Sequence, residues 1–223
     1  MGRRTHPEGM ADFFDARQAG YEEHMAETVA DFDRFYESIA DPIPETNDAL
    51  QILDVGCGTG LELHAVLSRA PNAVITGIDL SAGMLGRLRR TFVERLDQLH
   101  LIEGSYLDAP LSDSLYDFAM AVMTLHHLLP ARKTELYRRI RRALKPDGAY
   151  IEGDWVVSPG EERRYLSEYH ERVRGLPAAD KGAYHIDVPL SMETQKSLLL
   201  DAGFSGVRVI WHAAGSMVCV ARG

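Results

Sequence analysis

The 223 residues carry 33 Asp and Glu against 24 Lys and Arg, a formal net charge of -9. That balance works against broad binding to nucleic acid or to anionic membranes, both of which need a basic surface. Cys57 and Cys219 make no disulfide framework or metal-ligand pair. With a polar N-terminus that has no apolar signal core, they suit a reducing, cytoplasmic setting. The longest apolar run, Phe118 to Leu125, is far too short to span a bilayer and reads instead as a central strand.

Helical spacing of Phe13, Phe14, Tyr21, Met25, Val29, Phe32, Phe35, Tyr36 and Ile39 predicts one or two amphipathic helices over 11–40. Asp41-Pro-Ile-Pro44 stops them. Strands and helices then alternate. Strands are expected near 50–55, 73–79, 99–103, 116–123 and 149–154. The intervening helices fall at 61–70, from Ser81 to about 96, and 130–144, and Lys145-Pro-Asp-Gly148 reads as a tight turn. This rhythm predicts a doubly wound, mostly parallel α/β sheet. It breaks at 156–190, a charged helix and a polar loop read as an insertion over the carboxyl ends of the strands. A helix at 191–202 follows, then strands at about 206–212 and 216–221. Only Ala213-Ala-Gly215 lies between these two strands, which makes them an antiparallel edge hairpin. The domains expected are N-terminal helices over 1–45 and a single α/β unit over 46–223.

Ligands of open α/β sheets sit beyond the carboxyl ends of the strands. The first such end is Gln51-Ile-Leu-Asp-Val-Gly-Cys-Gly-Thr-Gly60, where glycines at 56, 58 and 60 give D-x-G-x-G-x-G. This is not the dinucleotide pattern G-x-G-x-x-G. It suits a nucleoside carrying an amino-acid tail, held by the turn's backbone N–H groups, with Asp54 bracing the turn or accepting from an ammonium group. The second end is Asp79, 19 residues after Gly60, the spacing at which a carboxylate reaches vicinal ribose hydroxyls. An ordinary helix N-terminal Asp is the plainer reading of Asp79 taken alone. The third is Gly104-Ser-Tyr-Leu-Asp108, where Ser105 would contact a base edge and Tyr106 cover its face. The fourth is Met123-Thr-Leu-His-His-Leu128. Adjacent histidines usually point in different directions, so His126 and His127 are a poor metal pair and no metal is expected. One of them is a candidate base or substrate contact, the other a packing residue.

These segments, with Ile75-Thr-Gly-Ile-Asp-Leu-Ser81, Leu144-Lys-Pro-Asp-Gly148 and Ala202-Gly-Phe204, resemble in order and spacing the motif series of class I S-adenosylmethionine-dependent methyltransferases, across about 50–221. The resemblance implies a seven-stranded sheet of order 3-2-1-4-5-7-6 with strand 7 antiparallel. It implies S-adenosylmethionine as cofactor, with Gly56, Cys57, Gly58 and Gly60 around its methionine part and Asp79 on its ribose. Leu80 and Met84 would lie against the adenine, and Val122 to His127 beside the sulfonium. Many members carry an acid where this chain has Ser105, which shifts the adenine contact toward backbone and Tyr106. The segment around Arg17, Tyr21 and His24 resembles the lid helices of small-molecule methyltransferases, where Arg17 would pair with the cofactor carboxylate.

Methyl transfer from a sulfonium is an in-line displacement needing alignment and exclusion of water, with a base only where the acceptor must lose a proton. Acceptor contacts are expected from Glu152, Asp154 and Trp155, and from Tyr184, His185 and Asp187. The basic stretch Arg132 to Lys145 reads as a solvated helix face. The leading expectation is therefore a methyltransferase for a small-molecule acceptor. The nearest alternative is a carboxy-S-adenosylmethionine-type or tRNA-modifying relative; no arginine lies at the ends of strands 1, 2 or 4 to hold an added carboxylate. A non-catalytic cofactor-binding regulator is the reading from another class. A homodimer stays open.

Overall fold

A computed structural model of the chain describes residues 8–176 and 184–223. Three N-terminal helices, α1 (Met10–Arg17), α2 (Tyr21–Thr28) and α3 (Phe32–Ala40), precede the sheet. Then come β1 (Gln51–Val55), α4 (Leu63–Arg69), β2 (Val74–Asp79), α5 (Ala82–Thr91), β3 (Leu99–Glu103), β4 (Tyr116–Val122), α6 (Pro130–Ala143) and β5 (Leu144–Trp155). Helices α7 (Pro159–Arg172) and α8 (Met192–Asp201) lead to the closing strands β6 (Gly206–Ala213) and β7 (Ser216–Arg222). The seven strands lie in the order β3-β2-β1-β4-β5-β7-β6. β7 runs antiparallel to both β5 and β6, and the other pairs are parallel. This is the expected sheet. Chain order reverses between β1 and β4, so the crevice beyond their carboxyl ends is where such a fold takes a ligand.

Local chemistry explains most boundaries. Ser81 starts α5 by accepting from Met84 N, and Ser158 and Glu161 form a reciprocal capping box at α7. Helix α5 stops at Thr91, short of the expected 96, and residues Val93–Gln98 form a tighter 3₁₀ turn. The expected turn at Lys145–Gly148 is absorbed into β5. Pairing with β4 jumps from Tyr116↔Leu144 to Phe118↔Ala149, so the four residues bulge out of the ladder.

The N-terminal stretch divides in two. Helix α3 belongs to the core: Phe35, Ile39 and Ala40 are buried with Ile151, Val218 and Val220 of β5 and β7. A Cβ at Gly153 would fall on Ile39 and Phe35, so β5 needs a glycine there to let α3 approach. Helices α1 and α2 bury far less, Met10 in one and Met25 in the other. They are pinned to α5 by polar contacts instead. Asp15 accepts from Ser81 Oγ and, at 2.9 Å, from Gly83 N. Arg87 pairs with Glu22 through two bonds of 2.8 and 2.9 Å. On the other side of the sheet, α6 is not a simple solvated face. Lys133 is fully buried, and Arg139 donates to the carbonyls of Tyr106, Leu107 and Ala109. That fixes the loop after β3.

Candidate active site

Two cavities meet beyond the carboxyl ends of β1, β2, β4 and β5. The smaller, of about 40 Å³, lies over the glycine turn and is bounded by Gly56, Gly58, Asp79, Leu80, Met84 and Tyr106, with Thr124 beyond. The larger, of about 720 Å³, lies under α1 and α2 against Trp155 and the segment 185–187. Phe14, Tyr21, Met123 and His127 border both. They form the partition between the two spaces.

The turn after β1 is built by its glycines. Gly56 has φ 74°, and a side chain there would collide with Thr124 at the end of β4. Gly58 has φ 49°, with no heavy atom within 4 Å of its missing Cβ, which leaves the backbone open to a ligand. Its N–H donates to Asp79 Oδ2 at 2.9 Å, while Ser81 N donates to Oδ1 at 2.8 Å. A carboxylate offers about four acceptor sites, so Asp79 keeps capacity for a vicinal diol. Burial raises its pKa against these backbone donors.

Beneath the turn lies a buried acidic pair absent from the sequence reading except for Asp54. Both oxygens of Asp54, Oε1 of Glu62 and Oγ1 of Thr59 are buried without a hydrogen-bond partner. Burial pushes Asp54 well above the carboxylate range and Glu62 up to about 7, with repulsion from Asp79 adding to each. Two such carboxyls ionise together only when a cation arrives. Orphaned acceptors under a glycine turn fit the α-ammonium of an amino-acid tail.

Other expected cofactor residues fall in three groups. Leu80, Met84, Tyr106 and Tyr21 border the smaller cavity as expected. Cys57 is buried with its Sγ against Gly77, and Gly60 and Val122 shape the turn and strand end without bordering the cavity. Ser105 accepts from Leu107 N within its own turn, which leaves Tyr106 as the facing residue. Arg17 needs correcting. It lies over the Phe13 ring at 3.7 Å, pairs with Glu8 at 3.3 Å and borders the larger cavity, not the smaller one.

The larger cavity is aromatic and apolar along Phe13, Phe14, Met25 and Trp155, and polar at one end. There His126, His127, His185 and Asp187 converge. The two adjacent histidines do not diverge as expected. A 3₁₀ turn over Leu125–His127 and two separate carboxylates bring both rings to the same wall, with centroids 4.1 Å apart. His126 Nδ1 lies 2.6 Å from Asp154 Oδ1, and Asp154 is steadied by Trp155 N and by Lys133 at 3.7 Å. Burial opposes charging of His126, but Asp154 outweighs it and raises the pKa. His127 Nδ1 lies 3.0 Å from Asp187 Oδ1 yet makes no in-line hydrogen bond. Burial, with His126 beside it, holds His127 down to about 4. His185 stacks on Phe13, its centroid 3.5 Å away.

Tyr184 and Glu152 depart from expectation. Tyr184 bridges Gly9 and packs with the cluster under α7, away from the cavity. Glu152 is fully buried behind the wall, where Tyr137, Tyr150 and Gln195 donate to it.

Residues 52–148 match the family described as "Methyltransferase domain". The chain is 31% identical over 173 residues to carboxy-S-adenosyl-L-methionine synthase of Desulfotalea psychrophila, covering 70% of this chain and 68% of that protein. It is 28% identical over 154 residues to 24-methylenesterol C-methyltransferase 2 of Arabidopsis thaliana, covering 68% of this chain but only 41% of that longer protein. Among solved structures, the DhpI–SAH complex superposes with a TM-score of 0.69 at 20% identity, covering 95% of this chain and 94% of that one. At that identity the likeness concerns the fold. The chain belongs to the class I S-adenosylmethionine-dependent methyltransferases, whose cofactor is S-adenosylmethionine.

Proposed function

We propose that the chain transfers the methyl group of S-adenosylmethionine to a small molecule bound in the larger cavity. The observation that carries this reading is the pair of cavities meeting at Met123 and His127, one over the glycine turn and one under α1 and α2. The cofactor supplies an electrophilic methyl on its sulfonium. Gly58 and the acidic pair Asp54–Glu62 hold the amino-acid tail, Asp79 the ribose hydroxyls, and Leu80, Met84 and Tyr106 the base. About 720 Å³ is the size of a site for a small organic molecule, and its aromatic walls suit an apolar body with one polar group. That polar group lies toward His126, His127 and Asp187, which offer it hydrogen-bond partners. Helices α1 and α2 act as the lid that excludes water. Because about 40 Å³ is far below the several hundred that a nucleoside occupies, the lid moves to admit the cofactor.

The test has two arms. S-adenosylhomocysteine is titrated calorimetrically, with micromolar binding and one site per chain expected. The protein is then incubated with methyl-labelled cofactor and fractionated metabolite extracts. Label in an extractable small molecule supports the reading, whereas label only in tRNA or protein, or in nothing, sinks it. The similarity to a carboxy-S-adenosyl-L-methionine synthase favours a second reading. Arg17 and His126 both border the larger cavity, and their N–H groups would attract an added carboxylate. Mass spectrometry of the copurifying nucleoside separates the two readings by the mass of the carboxyl group.

A further inference from the structure

The polar end of the larger cavity has the make-up of a metal centre. His126, His127 and Asp187 each offer one donor atom, and the three atoms lie within 4.8 Å of one another. We propose that these three side chains bind one first-row divalent cation of the Zn²⁺ type, whose open position takes an oxygen of the acceptor. The inference rests on the methyl-transfer reading only for what occupies that open position.

Four observations support the site. First, the donor set is two imidazoles and one carboxylate, which suits Zn²⁺ and leaves a coordination position free, as catalytic rather than structural sites do. Second, His127 Nδ1 is buried without a hydrogen-bond partner although it stands 3.0 Å from Asp187 Oδ1. A buried ring nitrogen beside a carboxylate, but not bonded to it, is what two ligands of the same ion look like. Tetrahedral zinc with bonds near 2.05 Å spaces its ligands by about 3.4 Å. The third ligand closes to that spacing by a side-chain shift on the order of 1 Å.

Third, the outer shell is present. Metal-bound histidines usually give their second N–H to a carboxylate, which fixes the tautomer and makes the ring a better ligand. His126 does this through Nδ1 to Asp154 at 2.6 Å, leaving Nε2 for the cavity. Lys133 is buried behind it, 3.7 Å from Asp154 Oδ2. His185 Nε2 lies 3.8 Å from Asp187 Oδ1, near the site but beyond hydrogen-bond reach. Fourth, the site opens onto a cavity. Asp187 is 38% exposed by side chain, which gives the ion an entry path.

A cation here faces the partition at His127 and Met123, close to where the methyl is delivered. It would hold an acceptor hydroxyl or carboxylate as a charged oxygen ligand, which orients it and lowers its pKa. The acceptor class is therefore a small molecule with an apolar body and an oxygen donor.

The test measures the ion directly and needs no turnover. Full-length protein is stripped with chelator, then titrated with Zn²⁺ by calorimetry and with Co²⁺ by visible absorption. The expected result is one ion per chain, micromolar or tighter, with the intense d–d bands of four-coordinate Co²⁺. Asp187→Ala removes a partly exposed ligand and should weaken Zn²⁺ binding more than tenfold, while S-adenosylhomocysteine affinity on the same preparation stays within about twofold. His126→Ala should weaken Zn²⁺ similarly. Absence of stoichiometric binding, or binding unchanged in both variants, overturns the metal site. Should the ion bind as described while no small molecule is ever methylated, the metal site stands and the methyl-transfer reading falls.

Discussion

The two cavities are built in opposite ways. The smaller has a local floor: Gly56, Gly58 and the strand-end Asp79 lie within one stretch of 24 residues, and the side chains of Leu80, Met84, Tyr106 and the partition close it. The larger is made by residues from five distant places, α1–α2, the end of β4, the end of β5, the segment 185–187 and the turn at 214–216. A backbone site fixes what it binds and tolerates little change. A side-chain site can be altered residue by residue without disturbing the sheet. Under the proposed reading, donor recognition and acceptor recognition fall in separable parts of the molecule.

The sharpest way to break this division is His126→Ala. If it serves only the acceptor side, methyl transfer falls about 10²- to 10⁴-fold while the Kd for S-adenosylhomocysteine stays within twofold. Comparable losses in both would mean the cavities are not separable. Next in size is Asp79→Ala. It removes the acceptor of two backbone N–H groups and of the ribose diol, and should weaken cofactor binding by about 10- to 100-fold. Near-normal affinity would place the ribose elsewhere.

A pH effect follows from the acidic pair under the glycine turn. Burial raises Glu62 to about 7, above its ordinary 4.5. A carboxyl raised in the folded state contributes stability at low pH and loses it as pH climbs from about 4.5 through about 7. An ammonium bound against the pair favours the ionised form and reverses that loss. Cofactor affinity should therefore increase up to about tenfold from pH 6 to 7.5, with proton release in calorimetry. Glu62→Gln should flatten the profile, and an unchanged slope in that variant would put the ammonium away from the pair. The smallest effect is at the lid. Arg87→Ala cuts the pairing with Glu22, which is about one-third exposed and so contributes modestly. Cofactor exchange in stopped flow should quicken about two- to threefold, with little change in melting temperature. An unaltered rate would mean that this pairing does not limit the opening.

The donor side was legible in the sequence because its information is local. The glycines, Asp79 and the alternation of strands and helices sit in short windows with clear periods, and the family resemblance those windows carry implies the sheet order. Glu62 escaped because nothing in Leu61-Glu-Leu63 separates a buried acid from an ordinary helix-start residue. The acceptor side depends on meetings across the chain. His127 reaches Asp187 across 60 residues, and Asp15 caps α5 across 66, so no window contains both partners. That Arg17 borders the larger cavity is hidden for the same reason, since helical spacing says which residues share a face but not which neighbour that face meets. Lys133 looked like one of several basic residues on α6, yet it is the one turned inward to Glu152 and Asp154.

Asp15 carries one more consequence. It sits on α1 but completes the start of α5, the helix that follows the ribose-binding strand end. If α1 and α2 close over the cofactor as proposed, that closure and the completion of α5 share the Asp15 contacts. A ligand that needs the lid open is taxed by the fraction of molecules already open, whatever the strength of its direct contacts. Under the proposed reading, retention of the cofactor can then be tuned at Asp15, Glu22 or Arg87, none of which borders the smaller cavity, as well as at the glycine turn.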